Sequence, residues 1–133
     1  MTESPAMPGH LIRATLENIA FCMRGNLELV CSLKENHPNC LFVTGGLCKS
    51  RLFCQILADC TGLPIRVGRE LEGSALGAAV CAAAGIKVAQ GLEGAQRQLV
   101  HLEHTFEPIA SNTEIYQPIY ERWVELYGKM DEL

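Results

Sequence analysis

The sequence predicts an α/β fold, and two observations carry that reading. Leu41, Phe42 and Val43 form a short apolar run that stops at Thr44, Gly45 and Gly46, after which Leu52, Phe53, Ile56 and Leu57 recur at helical spacing. Ile65, Arg66 and Val67 then alternate as a second strand. Strand, glycine turn, helix and strand within about 30 residues imply a parallel βαβ unit with a right-handed crossover.

Residues 1–9 hold two prolines, a glycine and small polar side chains, the composition of a flexible leader, and residues 10–133 read as one domain or part of one. From His10 to Val30, apolar residues at Ile12, Leu16, Ile19, Ala20, Met23, Leu27 and Val30 mark one face of a helix. Arg13, Glu17 and Arg24 fall on or near its polar side and read as a solvated face with no chemistry of their own. A loop over Leu33 to Asn39 leads to the first strand, expected to be buried. The helix after the glycines ends at Gly62, the usual carboxy-terminal stop, with Pro64 just beyond.

Glu70 and Glu72 suit the amino-terminus of a helix that runs into ALGAAVCAAAG, whose small residues let its backbone press against a neighbour. Leu92 to Leu102 is expected as a short helix and Phe106, Pro108 and Ile109 as an extended crossing. Asn112 or Thr113 opens a last helix, on which Tyr116, Ile119, Tyr120, Trp123, Leu126 and Tyr127 form an aromatic face that reads as core packing.

Composition removes several function classes. The net charge is −4, with the 11 Lys and Arg scattered, which argues against nucleic acid as a partner. Seven cysteines, an odd number with no CxxC, suit reduced thiols and a cytoplasmic setting. The start MTESPAMPGH has neither the basic nor the apolar region of a secretory signal, and no membrane span is expected.

The glycine turn is the candidate binding element. Gly45 and Gly46 let backbone approach a ligand, and the following helix offers its amino-terminus to an anion; equally, the pair can serve only as a tight βα connection. GGLCKS is not a phosphate loop of the GxxxxGK[ST] kind, because Cys48 stands where glycine must precede the lysine. GxGxxG and GxSxG are absent, and no catalytic residues are assigned. His101 and His104 have a spacing that two metal ligands can share, but nothing completes the set, so no metal site is assigned.

HLIRATLENIAFCMR, VTGGLCKSRLFCQILADCTGLPI and EGSALGAAVCAAAG, in that order, resemble three consecutive signatures of the FGGY carbohydrate kinases, over about nine-tenths of the chain. Gly45, Gly46, Ser50, Gln55, Ala58 and Asp59 spell the middle one, and the closing region is most similar to the autoinducer-2 kinase branch, with xylulose and glycerol kinases as relatives. The resemblance implies a partial carboxy-terminal, nucleotide-binding lobe of an actin-like ATPase (ribonuclease H-like) fold, with the βαβ unit and several packing helices. It implies ATP with Mg²⁺ as cofactors and makes Gly45, Gly46, Leu47 and Ser50 candidates for the adenosine side of the site, although Ser50 stands where many relatives carry Asn or Gly.

The same resemblance implies that the sugar-binding amino-terminal lobe, with its aspartate base, lies outside this sequence, so the chain alone is expected to be inactive. The parent function is then phosphoryl transfer from ATP to a hydroxyl of a small sugar-like molecule, with autoinducer-2 a candidate acceptor. The alternative is an inactive truncated lobe serving as an interaction or oligomerisation module. Its expected partners are accordingly ATP and either the missing lobe or a second copy.

Overall fold

A computed structural model describes residues 7–33 and 37–130. The elements run α1 (Pro8–Leu33), β1 (Leu41–Val43), a 3-10 turn (Gly46–Lys49), α2 (Arg51–Thr61), β2 (Ile65–Gly68), α3 (Gly73–Gly85), α4 (Gly91–Leu99), β3 (Leu102–Phe106) and α5 (Ala110–Met130). The sheet order is β1-β2-β3, with β1 and β2 parallel and β3 antiparallel to β2. The βαβ unit is therefore present as the residue pattern predicts.

α1 starts two residues before His10, because proline is tolerated in a first helical turn, where its missing N–H has no partner to lose. Pro8 and Gly9 thus belong to the helix rather than to a leader; residues 1–6 lie outside the described residues. Gly62 ends α2 in the left-handed conformation at φ 69°, its N–H donating to the Ala58 carbonyl at 2.8 Å.

Three expectations need correction here. Leu102 is not the end of a helix: α4 stops at Leu99, and Leu102–Phe106 pairs with β2, with Phe106 opposite Ile65. Only Phe106 of that strand is buried, so its residues carry almost no alternation to read. Phe42 is 63% exposed, since only one face of the sheet is covered. Val43, Ile65 and Val67 point into the core; Phe42 and Arg66 point away from it, the Arg66 guanidinium 5.7 Å from the Phe42 ring centroid. α3 packs on α4, the close approach to a neighbour that its small residues allow, although none of its residues is buried.

The third correction concerns Arg13, Glu17 and Arg24. Arg13 does stay exposed, but with Glu17 and Arg24 it joins α1 to α5 rather than forming a face without partners. Tyr116 donates to Glu17 Oε1 at 2.8 Å, and Arg13 Nη2 donates to the Tyr116 hydroxyl at 2.9 Å. Arg24 donates to Glu28 Oε1, to the Cys60 carbonyl at the end of α2 and to Gln117 Oε1 on α5, and lies 3.9 Å from the Tyr120 ring centroid. Inside this joint Phe21 meets Tyr116, Tyr120 and Trp123 with centroids 5.7–6.0 Å apart. The aromatic face of α5 is therefore real but narrower than its sequence stripe, for Ile119, Leu126 and Tyr127 remain exposed.

Burial raises the titration points of the groups in this joint. The Tyr116 phenol is pushed up to about 12 by burial and by its bond to Glu17, and Tyr120 likewise to about 12 by burial and by Glu28. Burial carries the Cys60 thiol up to about 12.

Candidate functional site

β1 and β2 run parallel, so Thr44 and the loop after Gly68 leave the sheet at the same end. That end, the carboxyl side of the strands, is where open α/β sheets receive ligands. The two loops are laced together there, the Gly45 N–H donating to the Leu71 carbonyl at 2.9 Å. Gly45 has φ 108°, a conformation that only glycine adopts without strain, so the turn depends on the residue at this position.

The chain does not pass from the glycines straight into a helix. A 3-10 turn intervenes, held by Cys48 N–H to Gly45 O at 3.1 Å and Ser50 N–H to Leu47 O at 3.0 Å. Cys48 points inward as its anchor, and the Cys54 thiol donates to the Cys48 carbonyl at 3.6 Å. Burial raises the Cys54 thiol to about 11 and raises Cys48 as well, which makes the two thiols packing groups rather than nucleophiles.

Gly45, Gly46, Leu47 and Ser50 thus form one continuous edge of the corner. A Cβ built on Gly45 or Gly46 meets nothing within 4 Å, so the outer side of the turn is open to a ligand. Leu47 is 45% exposed beside it. Ser50 has a structural duty: it is the N-cap of α2, its Oγ accepting from the Phe53 N–H at 3.3 Å. The free helix amino-terminus expected right after the glycines is therefore displaced to Arg51 and already capped by a side chain.

Sequence reasoning did not assign roles to Gln55 and Asp59. Asp59 is 3% exposed and is the hub between α2 and α5. Its Oδ1 accepts from Gln55 Nε2 at 2.9 Å and from the Ile109 N–H at 2.8 Å, and its Oδ2 accepts from Asn112 Nδ2 at 2.8 Å. The carboxylate thus receives the orphan N–H and the first-turn amide of α5, which is why that helix opens at Ala110 and not at Asn112 or Thr113.

Other concavities lie elsewhere. A cavity of about 600 Å³ is lined by Leu27, Cys31, His37, Pro38, Thr61 and Leu63. His37 and Pro38 precede β1 and Leu63 precedes β2, so this cavity sits at the amino ends of the strands, opposite the glycine corner. His104 lies in β3 with its ring 6.3 Å from that of Phe106, and among the described residues no group of three or more His, Cys, Asp or Glu could hold a metal ion. No helix of the described residues is long and apolar enough to cross a membrane.

Residues 1–86, from the start of the chain through α3, match the model of the FGGY family of carbohydrate kinases, C-terminal domain. The chain belongs to this family. An FGGY relative, the autoinducer-2 kinase of Photorhabdus laumondii subsp. laumondii, is 35% identical over 118 residues, which are 89% of this chain and 22% of that protein. Xylulose kinase from Rhodospirillum rubrum shares the fold over 99% of this chain and 27% of its own, with a TM-score of 0.82 and 28% identity. Plasmodium falciparum glycerol kinase, solved with ADP, matches 94% of this chain and 25% of its own, with a TM-score of 0.77 and 26% identity. The chain therefore spans about a fifth of the length of the autoinducer-2 kinase it matches.

Proposed function

We propose that this chain is the nucleotide-binding part of an ATP-dependent carbohydrate kinase with an actin-like ATPase fold, acting in the cytoplasm, and that residues 10–133 form its partial carboxy-terminal domain. The observation that carries the reading is the glycine corner at the carboxyl ends of β1 and β2, where Gly45 takes φ 108° and the turn's outer side is open. Backbone at Gly45, Gly46 and Leu47 lines the adenosine side of ATP, with Ser50 fixing the turn by capping α2. The Plasmodium falciparum glycerol kinase that shares this fold was solved with ADP, which supports a nucleotide as ligand. Mg²⁺ bound with the nucleotide phosphates would supply neutralisation of charge on the transferred phosphoryl group.

The reaction is transfer of the γ-phosphoryl of ATP to a hydroxyl of a small sugar-like acceptor, with autoinducer-2 the acceptor to test first in view of the kinase that is 35% identical. The general base and the acceptor contacts come from an amino-terminal lobe, so this chain by itself turns nothing over. Titration of ATP-Mg into the chain, alone and mixed with the amino-terminal lobe of an autoinducer-2 kinase, tests the reading. Binding at the corner, lost on changing Gly45 to a β-branched residue, supports it; no binding in either mixture sinks it.

A second reading, an inactive interaction or oligomerisation module, draws on a different observation. α3 exposes Ala75, Ala78, Cys81 and Ala82, and Phe42 is exposed on the uncovered side of the sheet. Sedimentation of the isolated chain separates the two: a monomer at micromolar concentration counts against self-association through these surfaces.

A further inference from the structure

The tightest backbone approach near the glycine corner is made by a residue outside it. A Cβ built on Gly73, the first residue of α3, would stand 2.5 Å from Thr44 Oγ1, 3.1 Å from Thr44 Cβ and 3.2 Å from Thr44 Cγ2. Rotating the Thr44 side chain can turn the hydroxyl away, but it cannot move Thr44 Cβ, so a side chain at 73 forces the two backbones apart. Thr44 immediately precedes Gly45, whose N–H is bonded to Leu71, two residues before Gly73. The two links, one a hydrogen bond and one a close packing contact, close a small ring around the corner: Thr44 and Gly45 on one loop, Leu71 and Gly73 on the other.

We infer that Gly73 is a positioning residue for ligand binding at Gly45 to Ser50, because its missing side chain lets the start of α3 seat against Thr44 and fixes the glycine turn in its φ 108° form. The inference rests on the reading of that turn as the adenosine wall. Gly77 and Gly85 on the same helix meet nothing within 4 Å when given a Cβ, so the requirement is specific to position 73 and is not a general need for small residues in α3.

Four proteins test it: the natural chain, Gly73→Ala, Gly77→Ala and Gly73→Ala combined with Thr44→Ala. Hydrogen exchange at the Gly45 and Cys48 amides reads the turn without any ligand. Gly73→Ala is expected to speed exchange there by about tenfold, Gly77→Ala to leave it unchanged, and Thr44→Ala to restore part of the protection by removing Oγ1 and Cγ2, while Thr44 Cβ still meets the new side chain. ATP-Mg affinity, measured with the amino-terminal lobe present, should follow the same order, weakening about tenfold in Gly73→Ala while thermal midpoints of the Gly73→Ala and Gly77→Ala proteins stay close. Unchanged exchange in Gly73→Ala, or the same change in both glycine variants, overturns the inference. If exchange responds as expected but the natural chain binds no nucleotide, the coupling of the loops stands while its role in ligand binding falls together with the nucleotide reading.

Discussion

Between α1, α2 and α5, helices separated by up to about a hundred residues are joined through Arg24, Asp59 and the Tyr116 hydroxyl, and among the described residues no buried side-chain polar atom lacks a partner. At the other side α3 has no buried residue, and β1 offers one edge and one face to solvent. The first region closes its own hydrogen bonds and hydrophobic contacts, as a core must. The second leaves apolar surface and a strand edge uncovered, as a core must not. The contrast locates stability in the helical layer and leaves the sheet's uncovered side and the outer side of the glycine corner open.

The largest expected effect tests the closed side. Asp59→Ala removes the acceptor of Ile109 N–H, Asn112 Nδ2 and Gln55 Nε2 at once and should destabilise the fold by about 3 kcal/mol in urea unfolding. A loss below about 1 kcal/mol would mean that α5 docks without this hub.

Alkaline titration probes the same side and comes next. Tyr116 and Tyr120 are raised from 10.0 to about 12 and Cys60 from 9.0 to about 12. The unfolded chain releases these protons first, so stability is fully present below about pH 9 and falls as pH rises toward 12. Tyr116→Phe should flatten that fall, and an unchanged alkaline slope would remove Tyr116 from the cause.

Ser50→Ala stands at the border between the two regions. Loss of the cap to Phe53 should cost about 1 kcal/mol, read as a thermal shift. If ATP affinity drops by far more than stability, Ser50 touches the ligand as well as the helix.

The smallest effect belongs to the open side. Ala78→Lys on the exposed face of α3 should change stability by no more than about 0.5 kcal/mol, because lysine suits a helix and the site packs against nothing. A larger loss in the isolated chain would show that this face is covered, which breaks the contrast.

Local signals were the legible ones. The βαβ unit, the Gly62 stop and the glycine turn are each written within a few neighbouring residues. Gly45, Gly46, Leu47 and Ser50 could be picked out for the same reason, although the cap made by Ser50 and the inserted 3-10 turn depend on the fold around them. Arg24 and Asp59 were not legible, because their partners Gln117 and Asn112 lie 93 and 53 residues away and no periodicity announces such a pairing. β3 failed for a third reason. HLEHTF has too little alternation to signal a strand, and pairing with β2 imposes the conformation that its own side chains do not.

The hub at Asp59 also sets an order of events during synthesis. A ribosome that has released α1, β1, α2 and β2 has delivered the carboxylate and its Gln55 neighbour, but neither the Ile109 N–H nor the Asn112 amide. Until α5 emerges, Phe21 has none of its three aromatic neighbours and Asp59 keeps its water. Phe21 and Asp59 therefore stay on wet surface until α5 docks, and that helix is the one that turns them into core.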